Sequence, residues 1–486
     1  KLIKKEIKNL KIIDGDGTDP IETPKLIREA IDYIRSGKGA CLLRLKVPRL
    51  CGHTFQDTQT YKPEAMILDE QSRDPLPKLK AYLANENMLS EHEWQALEEK
   101  AYADVRAAVE RAKLRPEPNV EDVTRFVYAE KDSNGQPEVQ LRGGLHGDNH
   151  QFPAITIEAK PEGPRLNLQT AIRKVLDHEL ETNPKVLVFG EDVGPKGGVH
   201  GATIGLNEKY GDHRVFDTSL SEEGIIGRSV GMALSGLMPV PEIQFRKYAE
   251  PAAEQIVDTG IMRWRTNNQF AAPMVIRIPG GFAGRGDPWH SMSDEVEWAH
   301  KTGWQIVMPS NAEDAAGLLR YALRDNNPTI FFEHRTLLDN RWARRPYPGD
   351  DFVIPFGQAN TLIQGDKLTV VTWGAMVERC EQAAQELDNG IELIDLRTIQ
   401  PWDKATILAS VKRTGRCLIV HEDNMTAGFG AEISAVLAKE AFFDLDAPIE
   451  RLTMPDIPSP HNIHLLNAAV PTVESIKASM IDCIAI

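Results

Sequence analysis

From Arg165 to about Asp339 the chain alternates apolar runs of strand length with stretches at helical spacing, and that alternation restricts the fold more than any other feature. It predicts a helix from Asn167, a strand over Lys185–Phe189, a Gly- and Ala-spaced helix over Gly224–Leu237, and strands over Val240–Phe245, Met274–Ile278 and Thr329–Glu333. Strands separated by helices pair in parallel, because each crossover helix returns the chain to the same end of the sheet. Pro346-Tyr347-Pro348-Gly349 marks a boundary, after which strands are expected at Leu368–Trp373, Ile391–Leu396, Cys417–Glu422 and Ile449–Met454. The expected fold class is α/β, with parallel-sheet domains followed by a further α/β domain.

The first 68 residues read as the tail of another α/β domain. Leu10–Ile13 and Ala40–Leu45 are candidate strands. Between them Thr23-Pro24 gives an N-cap before a helix-starting proline, and Ile27, Ala30, Ile31 and Ile34 recur at helical spacing up to Gly37 and Gly39. Asp14-Gly15-Asp16-Gly17 reads as a turn. Ser90 and Glu93 form a capping box, followed by Trp94, Leu97, Ala101, Val105, Ala108 and Ala112 on one face of an amphipathic helix. Residues 115–165 are rich in Pro, Gly and charge and read as a connector. The expected divisions are 1–115, a linker over 116–165, 166–345 and 346–486.

Composition narrows the function. A net charge of −15 over 486 residues argues against a nucleic-acid partner, since phosphate binding relies on Lys and Arg. No apolar run approaches the ~18 residues of a membrane span. Five scattered cysteines suit free thiols in a reducing compartment, and Lys1–Lys8 lacks the apolar core of a signal peptide. The expected location is cytoplasmic.

Ligands of open α/β sheets lie outside the carboxyl ends of the strands. Glu222, in the polar turn before a helix, and Tyr248, just past a strand, are therefore candidates to face one pocket. Each has an ordinary reading too. Paired acids such as Glu222 and Glu223 suit a helix dipole, an aromatic past a strand is often core, Glu191 could be a turn or capping residue, and a loop histidine such as His53 or His290 is often simply solvated.

Several motifs occur in order: Gly190-Glu191-Asp192-Val193-Gly194, the Glu222 segment, Glu242-Ile-Gln-Phe245, His290-Ser-Met-Ser293, Pro309-Ser310, Phe331-Phe332-Glu333 and Asp395-Leu-Arg397-Thr. Together they resemble the beta subunit of thiamine-diphosphate-dependent 2-oxo-acid dehydrogenase components, over most of 166–480. Arg49-Leu-Cys-Gly52-His53-Thr54-Phe-Gln-Asp57, with Tyr61 beyond, resembles the alpha subunit of the same family. The chain thus looks like the C-terminal part of an alpha subunit fused to a beta subunit, with a transketolase-like last domain.

The resemblance implies oxidative decarboxylation of pyruvate or a branched-chain 2-oxo acid, then acyl transfer to a lipoyl-lysine of a partner acyltransferase. It makes Glu222 the carboxylate that shares a proton with the aminopyrimidine ring. His53 and His290 become channel histidines that bind substrate and supply protons, as a pKa near 6.5 allows. Tyr248, Glu191, Phe245 and Arg49 are placed around the cofactor. Arg49, Asp57 and Tyr61 order the alpha loop through charge-assisted bonds, and Thr54 lies where some relatives are phosphorylated. Asp325 and Asn327 resemble a potassium site. The implied cofactors are thiamine diphosphate and Mg²⁺, whose usual ligands are expected largely outside the sequence as given. A homodimer with α2β2-like geometry follows from the family. The pattern departs at Ser291-Met292-Ser293 and at Arg285–Trp289, which leaves the substrate open. A scaffold protein of the same fold, without turnover, is the competing reading, and a transketolase-type enzyme a weaker one.

Overall fold

A computed structural model describes residues 10–145, 152–282, 288–387 and 390–486, and the chain divides into two compact units, Lys1–Asn119 and Val120–Ile486. In the first, strands β1 (Lys11–Asp16) and β2 (Cys41–Lys46) pair in parallel, with Lys11 opposite Cys41. The helix Glu22–Arg35 joins them.

Two expectations are corrected here. Asp19, not Thr23, serves the amides at the start of that helix: its Oδ1 accepts the Ile21 and Glu22 amide protons at 2.8 and 2.9 Å. Thr23 already lies in the first turn, and its hydroxyl donates back to the Asp16 carbonyl at 3.0 Å. Asp14–Asp16 is the end of β1 rather than a turn, because the parallel ladder continues to Asp16 opposite Lys46 and Arg44 pairs with Asp14 at 2.7 Å. The turn begins at Gly17.

The helix Glu91–Lys113 has its capping box, with Ser90 and Glu93 each serving the other's backbone. Trp94 is buried, whereas Leu97 and Val105 of the same stripe are more than half exposed.

In the second unit the stretch before Arg165 carries few buried side chains but is fastened by hydrogen bonds. Tyr128 donates to the Trp304 carbonyl at 3.2 Å, and Gln140 to Asn268 Oδ1 at 3.0 Å. The main sheet contains β3 (Val186–Gly190), β4 (Val215–Asp217), β5 (Met238–Glu242), β6 (Val275–Gly280), β7 (Gln305–Val307) and β8 (Thr329–His334). The next sheet contains β9 (Asn360–Ile363), β10 (Leu368–Thr372), β11 (Ile391–Asp395), β13 (Cys417–Asn424) and β14 (Glu450–Met454), in the order β9-β11-β10-β13-β14. β12 (Thr398–Gln400) returns to the first sheet, whose order is β12-β7-β8-β6-β5-β3-β4. It is parallel except where β12 meets β7.

Alternating side chains explain why this sheet is covered on both faces. Phe331 and Phe332 are consecutive in β8, so they point to opposite faces, and both are fully buried in separate core clusters. Val188 and Phe189 in β3 repeat the arrangement. Each such side chain is worth about 1.5–3 kcal/mol on burial, and a parallel sheet is stable only with both faces covered. The first of these clusters runs from Leu176 and Leu319 to Val370 and Met480, so the two sheets share apolar core.

Among the departures from expectation, two boundaries and one short strand bear on the site. β5 spans Met238–Glu242 rather than Val240–Phe245, which frees Gln244 and Phe245 from the strand. The helix ahead of β5 spans Glu222–Leu234 rather than Gly224–Leu237, so Glu222 is its first residue. β4 was not expected; it is a short edge strand beside β3.

Candidate active site

The carboxyl ends of adjacent strands bring the candidate residues of the second unit to one edge. β4 leads to Glu222, β3 to Glu191, β5 to Gln244 and Phe245, β6 toward His290, and β8 to Arg335. The loop carrying Glu222 is tied to β3, because the Thr218 amide donates to the Gly190 carbonyl at 2.8 Å. Glu222 then opens its helix, half-buried, where the dipole favours a carboxylate.

Glu191 is buried, and its Oε2 accepts from Gln244 Nε2 at 2.6 Å. Burial chiefly, then the nearby Glu222 and Asp192 charges, pushes its carboxyl up to about 7. Its Oε1 and Gln244 Oε1 are buried acceptors with no hydrogen-bond donor among the described residues. Glu191 and Glu222 are thus close enough for their charges to interact.

Beside them is a cluster of rings. Phe245 meets Tyr248 edge-on at 5.6 Å, His290 at 4.4 Å and His200 at 5.3 Å between centroids. The Tyr248 hydroxyl and His290 Nε2 are hydrogen-bonded at 2.9 Å. Arg335 places its guanidinium 5.3 Å from the Phe245 centroid and donates to the His290 carbonyl. The Ser-Met-Ser run after His290 is anchored from below: Ser293 Oγ donates to Glu295 Oε2 at 2.6 Å, and Trp373 Nε1 to the other oxygen at 2.7 Å. Residues 283–287, including the Arg285–Asp287 part of the departing loop, lie outside the described residues.

A fully buried ion triad underlies this edge. Arg277 on β6 grips Glu333 on β8 through Nε and Nη2, at 2.6 and 3.0 Å, and donates to Glu242 on β5 at 2.8 Å. Burial drives the Glu242 carboxyl up to about 7, against the pull of Arg277.

The first unit builds its own loop around Asp57. One carboxylate oxygen accepts the His53 amide proton at 2.7 Å and the Tyr61 hydroxyl at 3.2 Å; the other accepts the Gln59 amide at 2.9 Å. These bonds hold the Asp57 carboxyl below the usual range. A Cβ on Gly52 would fall on the Asp57 carbonyl, so the loop requires glycine there. Arg49 Nη2 lies 3.0 Å from His53 Nδ1. A guanidinium can only donate, so Nδ1 accepts and the neutral ring carries its proton on Nε2.

Asp325 and Asn327 lie together away from the rings. The Asn327 amide donates to Asp325 Oδ2 at 2.9 Å, and its own oxygen accepts the Ala129 amide proton at 2.6 Å. Burial raises the Asp325 carboxyl. One lone pair of the Asn327 oxygen is thus taken by a backbone donor.

Thiamine diphosphate suits the edge described above. The buried acceptors on Glu191 and Gln244 can take amino protons of an aminopyrimidine, and Phe245 and Tyr248 offer ring surface beside them. Among the described residues no group of three or more His, Cys, Asp or Glu side chains is arranged to hold a metal ion. His200 and Arg335 escaped the sequence reading; the only signal was a histidine inside the glycine-rich turn Gly197–Gly201 that follows a strand.

A parallel sheet with carboxylates and aromatic rings at the carboxyl ends of its strands is a candidate ligand site. Comparison with known proteins agrees. Family models match as dehydrogenase E1 component over residues 5–121, transketolase pyrimidine-binding domain over 165–340 and transketolase C-terminal domain over 357–476. The beta subunit of 2-oxoisovalerate dehydrogenase from Bacillus subtilis is 42% identical over 293 residues, which cover 60% of this chain and 89% of that protein. The mitochondrial beta 2 subunit from Arabidopsis thaliana is 44% identical over 321 residues, 65% and 89% of the respective chains. A solved split-gene transketolase, described as an inactive beta4 tetramer, shares the fold at TM-score 0.54 and 19% identity, covering 66% of this chain and 99% of its own. The chain belongs to the thiamine-diphosphate-dependent 2-oxo-acid dehydrogenase E1 family, with an alpha-like segment ahead of beta-like domains.

Proposed function

We propose that this chain decarboxylates a 2-oxo acid and passes the acyl group to a lipoyl-lysine of a partner acyltransferase. The observation that supports it most is the meeting of Glu222 and a raised Glu191 beside the Phe245–Tyr248–His290 rings. Thiamine diphosphate, when bound, supplies an acidic ring carbon and an electron sink for the decarboxylation. Glu222 holds a proton shared with a ring nitrogen. Glu191, fixed by Gln244, accepts an amino proton on Oε1. Phe245 and Tyr248 exclude water and hold a ring in place. His290, oriented by the Tyr248 hydroxyl, binds the substrate carboxylate, and His53 donates a hydrogen bond from Nε2–H to the lipoyl sulfur during acyl transfer. Mg²⁺ accompanies the diphosphate in this reading, and the working form is a homodimer. A potassium ion at Asp325 and Asn327 takes no part in these steps.

The test is titration of the full-length protein with thiamine diphosphate and Mg²⁺, followed by assay of CO₂ release and reduction of an artificial electron acceptor with a panel of 2-oxo acids. Saturable cofactor binding with turnover of at least one acid is expected. Cofactor binding without CO₂ from any of them would favour a scaffold instead.

A further inference from the structure

His200 is not used by the reaction just described, yet its position is closely controlled. Its carbonyl accepts from Gln169 Nε2 at 2.5 Å. The next residue, Gly201, has φ +74°, and a Cβ there would run into the Gln169 side chain. The Gly201 amide closes onto Gly198 at 3.1 Å, and the Thr203 hydroxyl donates to the Val193 carbonyl at 2.9 Å. These bonds deliver the imidazole edge-on to Phe245, on the ring that also touches His290 and Tyr248.

The imidazole itself is polar and unmatched. Its Nδ1 is buried without a hydrogen-bond partner, a condition that costs about 1–3 kcal/mol. Burial first, and then Arg335 and Arg277, lowers its pKa to about 4. The ring is therefore neutral at physiological pH, with one N–H donor and one bare nitrogen. A hydroxyl can answer either nitrogen, as acceptor or donor. A methyl group in the same place answers neither and leaves the buried nitrogen unmet.

We propose that His200 is a specificity-determining residue that hydrogen-bonds an oxygen on the side chain of the 2-oxo acid. The chain then favours a hydroxyl-tipped acid over the aliphatic acid of the same shape. This rests on the decarboxylase reading above and narrows its substrate class. Sites built to bind a hydroxyl reject the analogue lacking it more strongly than apolar pockets discriminate a methylene.

The experiment compares 4-hydroxy-2-oxobutanoate with 2-oxopentanoate, which exchange a hydroxyl for a methyl. The full chain is loaded with thiamine diphosphate and Mg²⁺, and kcat/KM is measured for each acid. The wild type is expected to prefer the hydroxylated acid by about tenfold or more. His200→Phe should bring the ratio to about one or below, and His200→Gln, which keeps a hydrogen-bonding head, should retain part of the preference. Calorimetric Kd values in a Glu222→Gln background, where turnover is blocked, should show the same order. Turnover with an equal ratio in wild type and His200→Phe, or a wild-type preference for 2-oxopentanoate, overturns this proposal alone. Absence of CO₂ from every 2-oxo acid overturns the decarboxylase reading along with it.

Discussion

The carboxyl of Glu191 has the most informative environment of any single group at the edge. Its folded-state value of about 7 lies above the ordinary 4.5, so the folded protein holds this proton more tightly than the unfolded chain. The linked stability is fully present below pH 4.5 and declines as pH rises toward about 7. Glu191→Gln should flatten the melting temperature against pH between about 4.5 and 7; a profile unchanged from wild type would mean that this carboxyl is not buried beside Glu222. His53 gives a second residue-scale prediction. His53→Ala should slow acyl transfer to a lipoyl acceptor by about 10²-fold or more while decarboxylation falls less, as separate assays of the two half-reactions would show. Glu222 was legible as a carboxylate at a helix start, but its role was not, because paired acids at that position suit any helix. His200 was illegible for a related reason: one histidine between glycines has no periodicity, and only folding shows that Gly201 turns it onto Phe245.

Strands and helices were the most readable level, since apolar runs and 3.6-residue spacing are set by burial on both faces of the sheet. Their ends were less so. Gln244 and Phe245 look like the end of an apolar strand, yet the Gln244 side chain turns to Glu191 and leaves the ladder. β4 has only three residues, too few to give a pattern. The triad of Arg277, Glu242 and Glu333 ties together three neighbouring strands through charges that no spacing rule pairs. Replacing Arg277 by Met should destabilise the unit by about 3–5 kcal/mol, because two carboxylates would stay buried without their cation. Chemical denaturation measures it, and a loss under about 1 kcal/mol would show that the carboxylates simply protonate.

At the scale of the molecule, the sequence divides residues 166–486 at Pro346–Gly349, but the structure couples the two sides. β12 crosses back to pair with β7, Trp373 reaches Glu295, and Ser310 bonds Asp395 at 2.5 Å. Hydrogen-exchange protection in β3 and β10 should therefore be lost at the same denaturant concentration; loss in two well-separated steps would show independent folding. The central claim, that Glu222 governs proton removal at the reacting carbon, is tested most directly by deuterium exchange at C2 of bound thiamine diphosphate, followed by NMR after acid quench. The wild type should exchange at least about 10²-fold faster than Glu222→Gln at equal cofactor occupancy. Equal exchange rates in the two proteins would contradict the assignment.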